Sequence, residues 1–305
     1  MHVPVMLEES LEYLAIRPDG VYLDATAGLG GHTRAIAQRL TSGFVIANDR
    51  DPESLEAARQ STAELSGRIR FHNGRFSELR AALAEAGVGG VDGILADLGV
   101  SRYQLTDPER GFSIMADGPL DMRMNRGQGE TAGDIVNYYA EKALADLIFN
   151  LGEERRSRRI ARAIVRARPI HTTRELANAV EQAVPRTSRL HPATQTFMAL
   201  RLAVNGELEE LESLLCLAPE LSRPGGRIVI ITFMSLEDRK VKQSFQGLVR
   251  SGKAAPLTKH VVRPRDEEVV TNPPSRSAKL RAVEMKQKAE NGNPGTDIGS
   301  NHTAP

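Results

Sequence analysis

Tryptophan is absent from the 305-residue chain, cysteine occurs once, and aromatic residues make up only 4% of it. A lone cysteine, Cys216, excludes an intrachain disulfide, which fits a reducing cytoplasm. So few aromatics leave a core of Leu, Ala, Val and Ile. Cys216, next to Leu214 and Leu215 on a helical pattern, is expected to be one more small buried apolar residue. Long apolar runs are also missing. The longest covers residues 228–234 with Thr232 inside it, strand length and far short of the roughly 20 residues that cross a bilayer. The start Met1-His2-Val3-Pro4-Val5-Met6-Leu7-Glu8-Glu9 has neither a basic leader nor an apolar core, so no signal peptide is expected. Neither Cys nor paired acids stand at metal-ligand spacing, and no metal site is expected. A cytoplasmic protein with no membrane partner follows.

Charge of one sign is locally missing as well. The net charge is +1, yet residues 151–204 hold 11 Arg, 4 Glu and no Lys, or +7, which leaves about −6 for the rest. A basic segment inside an acidic chain points to a polyanionic partner.

Residues 1–100 alternate short apolar runs with amphipathic stretches. Strands are expected at 21–25, 44–48, 69–72 and 91–97, and helices at 7–14, 33–40, from 52 and at 77–86. Asp51-Pro52 opens the third of these helices, with Asp as N-cap and Pro at the first helical position. Units of this length imply a parallel, doubly wound sheet. From 102 to 205 no strand is expected. A Gly/Pro/Asp/Met-rich loop at 107–126 leads into helices near 131–150, 153–167, 173–184 and 193–204. Strand character returns at 227–233, followed by a helix at 236–250 and an antiparallel hairpin of 258–263 with 278–285. The expected fold is α/β: a Rossmann-like doubly wound sheet with an inserted all-helical domain. Its parts are 1–102 and 206–286 for the core, 103–205 for the insertion and 287–305 for a disordered tail.

The first strand runs into Asp24-Ala25-Thr26-Ala27-Gly28-Leu29-Gly30-Gly31-His32. A strand, a glycine turn and a helix bring bare backbone and a helix N-terminus against a ligand. A dinucleotide fingerprint would place its third glycine at 33, where Thr33 stands, and a Walker-type Gly-Lys-Ser/Thr is absent. The pattern is similar to the first motif of class I S-adenosylmethionine-dependent methyltransferases. Asp49 ends the second strand, where an acid can take the ribose hydroxyls of an adenosine cofactor. Asp97 ends the fourth strand on the same carboxyl edge. Phe76, after the third strand, fits either packing on adenine or core packing. Arg155, Arg159, Arg162 and Arg166 recur at spacings of four, three and four and share one helix face, opposite Ile160, Ile164 and Ala167. Seven Arg and no Lys within 155–168 favour phosphate contact over a merely solvated face.

Over residues 2–285 the chain resembles the ribosomal RNA small subunit methyltransferase H (MraW) family. The resemblance rests on Thr26-Ala27-Gly28-Leu29-Gly30-Gly31-His32, Asp49-Arg50-Asp51-Pro52, Ala96-Asp97-Leu98-Gly99-Val100-Ser101, Arg110-Gly111-Phe112-Ser113, Asp117-Gly118-Pro119-Leu120-Asp121-Met122-Arg123-Met124, Gly152-Glu153-Glu154-Arg155, His191-Pro192-Ala193-Thr194, Ser235-Leu236-Glu237-Asp238-Arg239 and Arg276-Ser277-Ala278-Lys279-Leu280-Arg281. It implies a 16S rRNA (cytosine-N4)-methyltransferase that acts on cytidine 1402 of the small ribosomal subunit and takes its methyl group from S-adenosylmethionine. Gly30, Gly31, His32, Asp49, Phe76, Asp97 and Gln104 are then the cofactor-binding positions. The partner is rRNA rather than DNA, and either a monomer or a homodimer fits.

Two departures stand out. Met234 replaces the histidine of the family's Phe-His-Ser-Leu-Glu-Asp-Arg, and Arg102-Tyr103 replace Ser-Pro ahead of Gln104. Asn272-Pro273-Pro274-Ser275 looks like an amino-methyltransferase signature but lies far from the fourth strand, so a turn is expected there. Chemically, the site must hold N4 in line with the methyl group and offer it a hydrogen-bond acceptor. Asp97 is the expected catalytic residue, accepting from N4, from the cofactor, or from both in turn. A folded RNA must first surrender its base. Tyr103 and Phe112 fit either stacking on that base or packing within the loop, and the 107–126 loop is expected to line the substrate cleft. The alternative is a non-catalytic rRNA-binding or ribosome-assembly factor on a methyltransferase fold.

Overall fold

The computed structural model describes residues 4–184 and 191–287. The expected tail falls outside them from residue 288 onward.

Seven strands form one sheet: β1 (Val21–Asp24), β2 (Phe44–Asp49), β3 (Ile69–Asn73), β4 (Val91–Asp97), β5 (Ser222–Thr232), β6 (Ala254–Pro256) and β7 (Lys279–Met285). Their spatial order is β3-β2-β1-β4-β5-β7-β6. Pairing is parallel from β3 through β5, and β7 runs antiparallel to both β5 and β6. Strand order therefore reverses between β1 and β4, which opens a crevice at their carboxyl ends.

Alternation along the central strands builds two cores from one sheet. Leu23, Ile46, Ile94 and Ile230 face α4 (Leu79–Glu85), α11 (Glu207–Leu221) and α12 (Ser235–Arg250). Tyr22, Val45, Leu95 and Ile231 face the opposite layer, built around α1 (Leu7–Leu14), α2 (Gly31–Ala37) and α3 (Pro52–Ser61). Asp51 caps α3 as its sequence predicts, accepting from Glu53 N at 3.0 Å and Ser54 N at 3.4 Å.

Between β4 and β5 the chain makes α5 (Arg102–Thr106), α6 (Ala132–Tyr138), α7 (Glu141–Gly152), α8 (Ser157–Ala167), α9 (Thr173–Ala183) and α10 (Thr194–Asn205). These surround a third cluster of buried residues, among them Phe112, Met122, Leu144, Ile160, Val180 and Leu200.

Three expectations change. Cys216 is exposed. The buried stripe of α11 runs through Leu211, Leu214, Ala218 and Leu221, so position 216 falls on the far face. The closing hairpin uses β6 at 254–256 rather than 258–263, and the later segment touches β7 through the Val262–Leu280 bridge and through Thr258 Oγ1, which accepts from Ala282 N at 3.3 Å. The strand expected at 227–233 begins at Ser222, because Ser222 already pairs with Val91 at the edge of β4. Asn272-Pro273-Pro274-Ser275 does form a turn, a 3-10 segment leading into β7 that follows α13 (Asp266–Thr271).

Candidate active site at the carboxyl edge of the sheet

The glycine turn is held by side chains that precede and follow it. Asp24, fully buried at the end of β1, accepts from Thr33 Oγ1 at 2.6 Å and from Thr26 N at 3.2 Å. The residue that argues against a dinucleotide loop thus anchors the turn. Thr26 Oγ1 in turn accepts from Asp97 N at 2.7 Å, which ties the turn to β4. Gly28 and Gly30 have φ of +52° and +86°, where a side chain would be strained. A Cβ on Gly30 would meet Ser61 Oγ and Thr62 Cγ2 at 3.1 Å, and one on Gly31 would lie 2.4 Å from Pro4 Cγ. A side chain at Gly30 is thus opposed chiefly by its φ and one at Gly31 by Pro4, and in both cases the Cβ side faces protein.

Asp49 Oδ2 accepts from Gly28 N at 2.8 Å and Oδ1 from Asp51 N at 2.9 Å. Burial pushes its pKa up to about 6, against the pull of those two backbone donors. Each carboxylate oxygen keeps a further lone pair, so hydroxyl donors can still be taken. Asp97 is the most perturbed acid of the edge. Its side chain keeps 23% of its surface, yet Oδ1 is sealed and has no hydrogen-bond partner among the described residues. Burial first, then the negative charges of Asp24, Glu237 and Glu268, push its pKa up to about 8. Its Oδ2 lies 3.9 Å from His32 Nδ1, and His32 Nε2 lies 3.1 Å from Val5 O.

Gly30, Gly31, His32, Asp49 and Asp97 are thus brought to one edge. Phe76 is half-buried after β3 and packs against the core cluster that includes α11. Gln104 is almost fully buried, with Nε2 donating to Asp51 Oδ2 at 2.7 Å and Oε1 accepting from Ser101 N at 2.9 Å. Both ends of its amide are used within the protein, and it stands behind Asp49 through Asp51.

Arg159, Arg162 and Arg166 lie on the exposed side of α8, away from Ile160, Ala161 and Ile164. Arg155 is in the turn before α8 rather than on it, since the helix starts at Ser157 instead of 153. Only Arg162 of the four has an ion pair among the described residues, 3.5 Å to Glu141. Phe112 is buried in the helical core, which leaves Tyr103, 37% exposed, as the accessible aromatic of the pair. A cavity of about 550 Å³ between Leu120, Asn137 and Arg168 holds none of these residues.

Sequence reasoning missed Arg110, Asn205 and the Arg201–Glu207–Glu237 group. Arg110 has no exposed surface and donates to Asp51 Oδ2 at 2.9 Å and Met124 O at 2.8 Å. Arg201 grips Glu207 at 2.8 and 3.0 Å and lies 3.8 Å from Glu237, whose pKa burial pushes up to about 7. Met234 fills the gap beside them, its Sδ 3.7 Å from Arg201 Nη2. The Arg110-Gly111 pair was the one available signal, an arginine before a glycine whose φ is +71°.

The model of the MraW methylase family matches residues 1–286. The chain belongs to that family. A ribosomal RNA small subunit methyltransferase H from Solibacter usitatus is 64% identical over 286 residues, 94% of this chain and 100% of that protein. One from Acidobacterium capsulatum is 50% identical over 295 residues, 93% of this chain and 98% of that protein. Among solved structures, an rRNA methylase from Streptococcus thermophilus aligns with 94% of this chain and all of its own, at 13% identity and a TM-score of 0.44. As a methylase, the chain takes its methyl group from S-adenosylmethionine. The edge fits such a ligand: Asp97 Oδ1 is sealed and unpartnered, and an acid of raised pKa is stabilised by a cationic neighbour. Among the described residues, no group of three His, Cys, Asp or Glu side chains is placed to hold a metal, and no helix is long and apolar enough to cross a membrane.

Proposed function

We propose that this chain methylates the exocyclic N4 of cytidine 1402 in 16S rRNA of the small ribosomal subunit. The observation that carries this reading is Asp97, a largely buried carboxyl of raised pKa at the β4 end of the crevice, with 23% of its side chain still open. S-adenosylmethionine, when bound, supplies a methyl group on a sulfonium, open to in-line attack. Gly30, Gly31, His32, Asp49, Phe76 and Asp97 hold it, and Gln104 acts through its grip on Asp51.

Cytosine N4 is a poor nucleophile because its lone pair is delocalised into the ring. Asp97, whose side chain keeps 23% of its surface, accepts a hydrogen bond from the amine, which favours the tetrahedral nitrogen and gives the departing proton a destination. A carboxyl with a pKa near 8 is a better proton acceptor than an ordinary aspartate once it is ionised. The helical segment, about residues 103–205, serves as the RNA-binding unit. Its exposed arginines, Arg155, Arg159, Arg162 and Arg166, meet phosphates.

The test is incubation of small subunits lacking the modification with the protein and S-adenosylmethionine labelled in its methyl group, followed by mass spectrometry of the rRNA nucleosides. Label in N4-methylcytidine at position 1402 is expected; label on another base or on a protein refutes the assignment. Calorimetry with S-adenosylhomocysteine separates this reading from a non-catalytic assembly factor, which has no need to bind it.

A further inference from the structure

Two stretches of chain connect the helical segment to the sheet, and both are fastened to the residues that close β2. On the outgoing side, Arg110 Nη2 donates to Asp51 Oδ2 at 2.9 Å, to Arg123 O at 3.1 Å and to Met124 O at 2.8 Å, while Nη1 reaches Glu53 Oε2 at 3.2 Å. On the returning side, Arg50 Nη1 donates to the carbonyl of Asn205 at 2.6 Å. Asn205 then crosses to the outgoing side: Oδ1 accepts from Met124 N and Nδ2 donates to Met122 O, each at 2.8 Å. The other end of this joint is Asp49. Its Oδ1 accepts from Asp51 N and its Oδ2 from Gly28 N in the glycine turn. An unbroken run of hydrogen bonds therefore leads from the glycine turn through Asp49, Asp51 and Arg110 to the hinge of the helical segment.

We infer that Arg50, Asp51, Arg110 and Asn205 form a coupling joint that links occupancy of the methyl-donor site to engagement of RNA, with Arg110 as its principal positioning residue. The inference rests on the proposed roles of Asp49 and of the helical segment. A guanidinium with no exposed surface cannot swing away without leaving Asp51, 1% exposed, as an unpaired buried charge. Any shift of residues 49–51 on ligand binding is thus passed to the backbone at 122–124. The joint also has an unfilled demand. Arg50 Nε and Arg110 Nε are sealed without an acceptor among the described residues. An arrangement of the joint that offered them acceptors would gain free energy, and an element with two such arrangements is what linkage between two sites requires.

Calorimetry tests this with S-adenosylhomocysteine and a small-subunit rRNA transcript, each titrated alone and in the presence of the other. In wild-type protein each ligand should tighten the other by the same factor, roughly 5- to 150-fold. In Arg110→Lys and Arg50→Lys the factor should fall to about 1, with S-adenosylhomocysteine alone still binding. A structural brace without coupling would lower melting temperature and leave the factor intact. Hydrogen exchange on the wild-type chain needs no variant: S-adenosylhomocysteine should slow exchange of the Met124 amide, which is bonded to Asn205. No mutual tightening in wild type, a factor that survives both substitutions, or an unchanged Met124 amide overturns the inference. Failure of S-adenosylhomocysteine to bind wild-type protein overturns the proposed function itself, whereas failure of the transcript to bind leaves no mutual tightening and overturns the inference.

Discussion

Replacing Asp97 by Asn should stabilise the ligand-free protein and disable it at the same time. The Asp97 carboxyl has a pKa of about 8 in the fold against 3.8 as a free side chain. It binds its proton more tightly folded than unfolded, so its burden on stability is absent below pH 4, grows as the pH rises and is constant above pH 8. At 1.36 kcal/mol per unit the ceiling is about 6 kcal/mol. The side chain keeps 23% of its surface, and water there relieves part of the penalty. About 2–3 kcal/mol is the realistic share. Asn keeps the shape and removes the charge. Its gain should raise the melting temperature by about 3–5 °C at pH 8.5 and shrink steadily toward pH 5. Turnover should meanwhile fall by about 10²–10⁴, with much less change in S-adenosylhomocysteine affinity. The assay is thermal unfolding of both proteins from pH 5 to 8.5, with turnover measured alongside. A stability difference that is zero at pH 8.5, or flat across that range, refutes the account of Asp97 as a buried, strained acid. Equal loss of turnover and cofactor affinity refutes its role as acceptor.

Converting Arg155, Arg159, Arg162 and Arg166 together to Gln should lower the salt dependence of RNA binding, log K against log salt, by about 3, with the melting temperature unchanged; an unaltered slope in filter binding removes these residues from the RNA interface. Arg110→Met leaves the Asp51 carboxylate buried without its cation and should cost about 3–5 kcal/mol in denaturant unfolding; a loss below 1 kcal/mol would mean that the pair is dispensable. Gly111→Ala puts a Cβ 2.1 Å from Pro119 O at a φ of +71°, with backbone on the receiving side. It should cost about 3 kcal/mol and mislay the 119–124 loop. Circular dichroism melts check it, and a neutral substitution would contradict the geometry.

Periodicity along this chain determined the alternating core, the break in strand pattern after residue 102 and the return of strand at the run Ile228-Val229-Ile230-Ile231. Each is a local consequence of which side chains must leave water. The glycine turn, the Asp51 cap and the acids closing β2 and β4 were legible for the same reason, since backbone geometry restricts them to a few residue types. The exposed arginines of α8 could be read because a helix spaces them on one face. Tertiary structure alone decided what those residues meet. It put Cys216 on the outer face of α11, sank Phe112 into the helical core and turned Gln104 inward to Asp51. It also showed that a Cβ on Gly30 or Gly31 would face protein, Ser61 and Thr62 in the one case and Pro4 in the other. Arg110 is the sharpest case. In sequence it is one arginine among many, and only the approach of Asp51 from 59 residues away makes it a buried tie. Burial and pairing across that separation depend on the assembled sheet, which is also what seals Asp97 and raises its pKa.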